Sequence, residues 1–333
     1  MKRAAAVVLA LVLSVAGCSS AAPPQPQPVT WTDEEVRFEA DGLTLHGTYR
    51  HRTEGEPAPA ALLISESGAT DRNGDNAVAG PIGNMRQLAE LLSDREVATL
   101  RYDKVGTGRT GLGPFQDNPT QVVSAVYTSG ARAALGFLNA RPETDPGRIS
   151  VYALGEGAVH ALTLAGDAGP GAPTVHSLGL LQPLPGRYLD IITDRVRADG
   201  SPETVAVWQA AVEQIRTTGT VPTDLPDGLN AIVNPGNLEA VVAADQVDPV
   251  QLAAAVPAAT PVLLTCSDSD NQARCAAMGP LIAALQHTDL TVVELTGVNH
   301  VLRDDPTDSI ANYANQAPLS DQLVSALDDF AGK

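Results

Sequence analysis

Residues 148–158 read RISVYALGEGA, which is the pattern of a strand, a tight turn and a helix. β-forming residues fill 149–152, glycines mark the turn, and the residues that follow favour a helix. Enzymes that transfer acyl groups use this shape, written G-x-S-x-G, to present a serine nucleophile in a strained turn. When the motif is laid over the chain without gaps, Gly155 takes the position of the serine. The turn is therefore predicted, but its nucleophile is missing.

The elements around this turn alternate between short apolar runs and amphipathic segments. Strands are predicted at 36–38, 43–49, 60–65, 97–101, 149–153, 176–181, 261–266 and 290–295. Helices are predicted at 84–93, 122–138, 158–165, 273–286 and 320–330. This alternation indicates an α/β fold, with a mostly parallel central sheet and helices on both faces.

The alternation stops between residues 183 and 258, where helical pieces are mixed with segments rich in proline and glycine. We interpret this region as an insertion between two sheet strands, the usual place of a cap over an active site. Its apolar residues can line a pocket or pack as a core. They are Trp208, Ile215, Leu225, Leu229, Ile232 and Leu238.

Four stretches of the chain resemble motifs of the α/β-hydrolase family, in its bacterial esterase and serine-aminopeptidase-like group. Residues 62–74, LLISESGATDRNG, are similar to the oxyanion loop of that family, L-L-x-S-G-S-G-P-x-D-R-D-G. Residues 100–110, LRYDKVGTGRT, are similar to L-R-Y-D-K-R-G-x-G-x-S. The turn at Gly155 is the third stretch. The fourth combines 261–270 with 297–302, which are similar to P-V-L-x-x-x-G-x-x-D and G-M-N-H-V-L.

The resemblance extends over about residues 36–331. It implies an α/β-hydrolase fold with a core at 36–182 and 259–331 and a cap insertion at 183–258. It also implies a hydrolase acting on ester bonds, with a triad in the chain order nucleophile, acid, histidine.

The resemblance assigns two members of this triad. His300 takes the histidine position and would carry protons, since the ordinary pKa of imidazole lies near neutrality. Asp270 takes the position of the acid that fixes the imidazole tautomer, with Asp268 as the alternative. Structural roles are expected for the remaining histidines, His46, His51, His160, His176 and His287.

Two departures from the family pattern remove parts of the acyl-transfer machinery. Gly155 has no side chain that can attack a carbonyl carbon. Glu66 replaces an oxyanion-loop glycine, and its carboxylate opposes the negative charge that develops in the transition state. Ser65 and Ser67 flank Glu66, but neither lies in a nucleophile elbow, the strand–turn–helix motif that is predicted around Gly155. Neither serine is therefore expected to replace the nucleophile.

These features allow three interpretations. In the first, the protein is a degenerate hydrolase that binds a ligand or a partner, and Glu66 turns into the space left by the serine and pairs with His300. In the second, a serine-free enzyme uses the His300–Asp270 dyad, with Glu66 or Glu156 as a base if burial raises the carboxyl pKa. In the third, His300 delivers water in a weak esterase. Glu156 also suits the first turn of a helix, where an acid favours the helix dipole.

The N-terminus is predicted to be a lipoprotein signal peptide, residues 1–17. Two basic residues precede a short apolar run at 4–16, which is too short to span a bilayer comfortably. The sequence VAGC that ends at Cys18 resembles the lipobox of bacterial lipoproteins, in which the signal is cut before a cysteine that carries acyl chains. An ordinary secretory signal is the alternative. The resemblance implies an outward-facing protein that is anchored to a bacterial cell membrane through Cys18, with a Pro-rich tether completing residues 18–35.

Composition limits the partners of the chain. Its net charge is −18, and loss of the two basic residues of the signal leaves 19 basic against 39 acidic residues, a net charge of −20. Such acidity argues against nucleic acid and anionic lipid as partners. No metal-ligand spacing, phosphate loop or nucleotide fingerprint occurs, so no metal and no cofactor is expected. The expected partners are a small-molecule or lipid-like ligand in the capped pocket, and the membrane through the lipid on Cys18.

Two cysteines, Cys266 and Cys275, follow Cys18 in the chain. A disulfide between them is expected, because an exported protein folds in an oxidising compartment. Two free thiols or a metal pair are the alternatives.

Overall fold

A computed structural model gives the fold of the chain and describes residues 30–330. The predicted signal peptide, Cys18 and the tether up to residue 29 lie outside the described residues. None of the helices within residues 30–330 has the length and the hydropathy that a membrane crossing requires.

A sheet of eight strands forms the centre of the fold. The strands are β1 (Trp31–Ala40), β2 (Leu43–Arg52), β3 (Ala58–Ile64), β4 (Ala98–Tyr102), β5 (Thr144–Leu154), β6 (Ser177–Leu181), β7 (Pro261–Ser267) and β8 (Asp289–Leu295). They lie in the order β1-β2-β4-β3-β5-β6-β7-β8. The pairs β1–β2 and β2–β4 are antiparallel, and the other pairs are parallel. The mostly parallel sheet predicted from the sequence is confirmed.

Helices cover both faces of this sheet, and further helices form the segment between β6 and β7. The helices of the described residues are α1 (Asn84–Ser93), α2 (Ser124–Asn139), α3 (Gly157–Gly166), α4 (Tyr188–Asp199), α5 (Pro202–Thr218), α6 (Asp227–Asn230), α7 (Leu238–Asp245), α8 (Pro249–Ala254), α9 (Gly279–Leu285), α10 (Ile310–Tyr313) and α11 (Asp321–Phe330). Successive residues of a strand point to opposite faces. In β3, Leu62 packs with α2 and α3, whereas Leu63 packs with α1 and α11. The central strands are therefore buried on both sides, as their continuous apolar runs predict.

Several predicted elements have other bounds than the observed ones, as in β2 (Leu43–Arg52) and β5 (Thr144–Leu154), and two further cases have a clear physical reason. The helix predicted at 273–286 is α-helical only over Gly279–Leu285, because Pro280 favours a helix start at this point and a 3₁₀ turn at Cys275–Ala277 precedes it. The strand predicted at 36–38 extends over Trp31–Ala40, because it pairs with β2 along its whole length. Its exposed polar residues conceal this length in the sequence.

The expected disulfide between Cys266 and Cys275 is confirmed, with the two Cα atoms 5.0 Å apart. Cys266 lies in β7, and Cys275 begins the 3₁₀ turn before α9. The bond therefore closes the loop that contains Asp270.

Helices α4 to α8 occupy the chain between β6 and β7. The first four of them build a small core of their own around Trp208, whose indole N–H donates to Thr193 at 2.9 Å. Asp245 at the end of α7 binds the guanidinium groups of both Arg187 and Arg216 at 2.8 Å. The apolar cap residues noted in the sequence all pack in this core. These contacts correspond to the core packing that the sequence allows for them.

Candidate functional site

His300 follows β8 and is almost fully buried, with 2% of its side chain exposed. Its Nδ1 atom lies 2.8 Å from Oδ2 of Asp270, in the loop after β7. The second oxygen of Asp270 accepts the backbone N–H groups of Gln272 at 2.6 Å and Ala273 at 3.0 Å. These contacts fix the carboxylate, and the carboxylate in turn fixes the imidazole ring.

Asp268, the alternative acid, has different partners. It accepts the backbone N–H of Gly297 at 2.8 Å and the hydroxyl of Ser269 at 2.8 Å. The Gly297 N–H lowers the pKa of this carboxyl. Asp268 thus stabilises the turn after β8, and the acid in contact with His300 is Asp270.

Sequence reasoning missed Asp308, which joins the two loops of the dyad. Its Oδ1 atom accepts the backbone N–H of His300 at 2.9 Å, and its Oδ2 atom accepts the backbone N–H of Asn271 at 2.9 Å. The hydroxyl of Tyr313 also donates to it, at 2.5 Å. No motif distinguishes this aspartate from its acidic neighbours, and only the folded loops reveal its role.

The turn at Gly155 has the geometry that its sequence predicts. β5 ends at Leu154, Gly155 has a φ of +55°, and α3 begins at Gly157. Glycine adopts this left-handed conformation without the cost that a side chain would add. A Cβ atom at residue 155 would lie 1.4 Å from Oε2 of Glu66. The Glu66 carboxylate therefore fills the space that a serine side chain would occupy.

The two oxygens of Glu66 have different partners. Oε2 lies 2.9 Å from Nε2 of His300. Oε1 accepts the backbone N–H of Ser67 at 2.7 Å and that of Glu156 at 3.5 Å. In an elbow site, the N–H after the nucleophile and an N–H of the loop after β3 form the oxyanion hole. One carboxylate thus occupies the places of both the nucleophile and the oxyanion, and the contact expected between Glu66 and His300 is present.

The charges of this site stabilise one another. Burial raises the pKa of the Glu66 carboxyl, but His300 and the Ser67 N–H lower it by more than burial raises it, and the resulting pKa is about 2. Burial lowers the pKa of His300, but Asp270 and Glu66 together raise it well above its ordinary value. At neutral pH, an imidazolium therefore lies between two carboxylates.

Lys104 supports the loop that carries Glu66. Its buried ammonium group donates to the backbone carbonyl of Ser65 at 3.3 Å and to that of Glu66. Burial lowers the pKa of this ammonium, and the carboxylates of Glu66 and Glu156 oppose that effect. The lysine belongs to the second motif stretch, but the sequence alone does not show what it binds.

Glu156 lies at the start of α3 and lines the same cavity as Glu66. Burial raises the pKa of its carboxyl, the nearby Glu66 carboxylate raises it further, and Lys104 lowers it. The side chain is half-buried. The structure therefore places Glu156 in the cavity wall beside the site, while the carboxylates that contact His300 are those of Glu66 and Asp270.

A cavity of about 200 Å³ opens beside Glu66, between the sheet edge and the cap. Apolar side chains from both sides form most of its wall, and among them are Val159, Leu184, Ile191, Ile192, Val247 and Pro249. Its polar lining consists of Glu66, Ser67, Ser124, Glu156, Tyr188, Arg195 and Gln272. Among residues 30–330, no cluster of three or more His, Cys, Asp or Glu side chains has the arrangement of a metal site.

We predict that Glu66→Gln lowers the free energy of unfolding by about 1–3 kcal/mol near pH 6, because a buried imidazolium loses one of its two anionic partners. The pKa of Glu66 is lowered from 4.5 to about 2, so its contribution is complete above pH 4.5 and is lost as the pH falls toward 2. The pKa of His300 is raised above 6.5, so its contribution is complete below 6.5 and is lost as the pH rises through the raised value.

Urea unfolding across this pH range measures the difference between the wild type and Glu66→Gln. The difference should be largest between pH 4.5 and 6.5, and should decrease on either side. Glu90→Gln, on the exposed face of α1, is the matched control and should change stability little. A difference that does not vary with pH would contradict the ion pair.

No protein-family model and no curated protein sequence matches the chain. Among solved structures, it is similar to an esterase from Pyrococcus furiosus, with a TM-score of 0.56 and 16% identity over 94% of this chain and 96% of that one. It is also similar to the 2,6-dihydroxy-pseudo-oxynicotine hydrolase, with a TM-score of 0.55 and 13% identity over 90% and 69% of the two chains. A dienelactone hydrolase-like promiscuous phosphotriesterase from metagenomic libraries gives a TM-score of 0.51 and 14% identity over 91% and 98%. These likenesses, together with the sheet order and the elbow, identify the chain as a protein of the α/β-hydrolase fold.

Proposed function

We propose that this protein is a cell-envelope lipoprotein that binds a small, mostly apolar ligand in its capped cavity and has lost serine-type ester hydrolysis. The observation that supports this proposal is the position of the Glu66 carboxylate. It fills the place of the missing serine side chain at Gly155 and the place of the oxyanion at the N–H groups of Ser67 and Glu156.

Ester hydrolysis by a serine mechanism needs two features that this site lacks. The first is a side chain at the elbow that attacks the carbonyl carbon, and its loss in a serine protease costs about 10⁶-fold in turnover. The second is a pair of free N–H donors for the developing oxyanion. At this site, the donors bind an oxygen that is already negative, since the pKa of Glu66 is lowered to about 2.

The cavity favours a ligand that is apolar over most of its surface. Its volume is about 200 Å³, and side chains such as Leu184, Ile191 and Val247 form its wall. A buried apolar surface contributes roughly 0.8 kcal/mol for each CH₂ group of a ligand. Arg195 and Tyr188 add polar groups at the cap side, and Glu66 adds a negative charge at the floor.

A second candidate function is a serine-free enzyme that uses the His300–Asp270 dyad. The intact 2.8 Å contact between these side chains favours it, because binding alone does not require an oriented imidazole. In this alternative, Nε2 of His300 is available to a substrate or to water only through Glu66, which lies between it and the cavity.

Turnover of p-nitrophenyl acetate tests the loss of ester hydrolysis. We expect the wild type to show no activity above buffer. Gly155→Ser combined with Glu66→Gly should raise the rate roughly 10³-fold above that of buffer, because the nucleophile returns and the oxyanion donors are freed. Gly155→Ser alone should stay inactive, because it only displaces Oε2 of Glu66 and leaves in the site a carboxylate whose charge opposes the oxyanion. Wild-type activity that His300→Ala abolishes would instead establish the serine-free enzyme.

Calorimetric titration with linear alcohols tests ligand binding. The dissociation constant should fall about fourfold for each methylene from 1-butanol to 1-hexanol, because each group is buried in the apolar wall. Ile191→Trp should weaken this binding by filling the cavity, whereas Val207→Trp, at an exposed position of α5, should not. Equal affinity for all chain lengths would argue against an apolar cavity site.

The membrane anchor is proposed from the signal sequence alone, since residues 1–29 lie outside the described structure. Expression of the full chain in a bacterial host, followed by separation of the membranes, tests it. Cys18→Ala should move the protein from the membrane fraction to the soluble fraction, because no acyl chain can be attached. Retention of Cys18→Ala in the membrane would show that another feature anchors the protein.

A further inference from the structure

We propose that the ligand of the capped cavity is a primary alkylammonium ion, whose N–H groups bind the carboxylate of Glu156 and whose chain lies along the apolar wall; this rests on the proposed binding of a mostly apolar ligand and adds the polar group of that ligand. Glu156 stands at the start of α3 and lines the cavity together with Glu66.

The Glu156 carboxylate differs from the two other carboxylates of the site in its lack of a partner. Glu66 binds His300 through Oε2 and two backbone N–H groups through Oε1. Asp270 binds His300 through one oxygen and two backbone N–H groups through the other. Within residues 30–330, no hydrogen bond and no ion pair joins another group to the Glu156 carboxylate. Its oxygen atoms are therefore available to a ligand in the cavity.

The charges of the site leave one negative charge without a partner. The carboxylates of Glu66, Asp270 and Glu156 stand against two cations, the imidazolium of His300 and the ammonium of Lys104. His300 lies between Glu66 and Asp270, and Lys104 binds backbone carbonyl groups. A charge that is removed from water without a partner is costly. A ligand with one positive charge supplies the partner that the protein does not.

The position of Glu156 also places apolar side chains next to its carboxylate. Val159 follows it by three residues in α3, and side chains three residues apart lie on the same face of a helix. Both residues line the cavity, and Ile191 and Ile192 of α4 line it from the cap side. An ammonium group at Glu156 offers three N–H donors to oxygens that only accept. The chain of the ligand then lies against the apolar wall.

A carboxylate is the less favourable head group, although Arg195 also lines the cavity. The side chain of Arg195 is exposed, and an exposed charge stays solvated, so an anion beside it gains little. The net charge of the chain, −18, attracts cations and repels anions over longer distances. A cation is therefore favoured at the inner end of the cavity.

Calorimetric titration with hexylamine, 1-hexanol and heptanoate at pH 7 tests the proposal, because these compounds share a six-carbon chain and differ in the head group. Hexylamine is protonated at this pH, since the pKa of a primary alkyl ammonium such as that of lysine is about 10. It should bind the wild type about 10–100-fold more tightly than 1-hexanol, because hydrogen bonds between charged groups are stronger than neutral ones.

Two matched variants show whether Glu156 causes this preference. In Glu156→Gln, the ratio of the two affinities should fall to near one, because the carboxylate is gone. In Glu213→Gln, at an exposed position of α5, the ratio should stay as in the wild type. Equal affinity of the wild type for hexylammonium and 1-hexanol would overturn the proposal, and so would tighter binding of heptanoate.

The acid side of the pH profile provides a second test. Burial and the Glu66 carboxylate raise the pKa of Glu156 above 4.5, and Lys104 opposes this shift. Binding of a cation requires the ionised carboxylate, so the affinity for hexylammonium should be full above the raised pKa and should fall as the pH drops through it. Glu66 stays ionised over this range, because its pKa is lowered to about 2. A loss of affinity that begins only below pH 4.5 would contradict the assignment to Glu156.

The neighbours of Glu156 set the control for this profile. Burial lowers the pKa of His160 to about 3 and raises that of Tyr127, so neither changes its charge between pH 4.5 and 7. Burial also lowers the pKa of Lys104, whose titration is the alternative cause of a pH dependence. The dependence should be absent in Glu156→Gln, and its persistence there would overturn the proposal. The charged or titratable side chains that line the same cavities as Glu156 are Glu66, Lys104, Tyr127, His160, Tyr188 and Arg195.

The same titrations separate the two proposals. If 1-hexanol binds in the cavity and hexylammonium binds no more tightly, the ammonium ligand is refuted and the binding of apolar ligands stands. If neither compound binds, the binding function fails, and the ammonium ligand fails with it.

Discussion

The pair formed by the Glu66 carboxylate and the His300 imidazole is the interaction on which the site depends. Burial of a charge is costly unless a partner compensates it, and both groups are mostly buried. His300 lies between two carboxylates, those of Glu66 and Asp270, so removal of the imidazole leaves both carboxylates without their shared cation. The site at rest is therefore an ionic network. In this respect it differs from the neutral hydroxyl–imidazole pair that begins acyl transfer by serine.

The surrounding loops hold this network in place because the parallel strands end at one edge of the sheet. Buried Asp103, at the end of β4, accepts the backbone N–H of Arg72 at 3.0 Å and that of Arg109 at 2.8 Å, which joins the first two motif stretches. Lys104 then ties the loop after β3 to the one after β4, and Asp308 ties the loop after β7 to the one after β8. Residues far apart in sequence thus hold the carboxylate and the imidazole at hydrogen-bonding distance.

Much of this arrangement was predictable from the sequence, because its strongest signals are local. Apolar runs predicted the central strands, and glycine spacing predicted the turn at Gly155, which has the expected left-handed backbone. The motif resemblance placed His300 and Asp270 in contact, and two cysteines after a predicted export signal indicated the disulfide.

The features that the sequence did not reveal depend on tertiary contacts. The roles of Lys104 and Asp308 arise from backbone groups of other loops, which leave no pattern in the chain. Apolar residues such as Trp208 suit both a core and a cavity wall, so the residue types in the cap do not show which of the two they form. The helix predicted over 273–286 has suitable periodicity, but a disulfide and a proline shorten it.

The close approach of Gly155 and Glu66 also makes these two positions one structural unit. Oε2 lies 1.4 Å from the place that a Cβ atom of residue 155 would take, so any side chain at residue 155 displaces the carboxylate from its present position. That displacement would also disturb the contacts of Glu66 with His300 and with the backbone N–H of Ser67. Substitutions at the two positions are therefore coupled, and their effects on stability do not add.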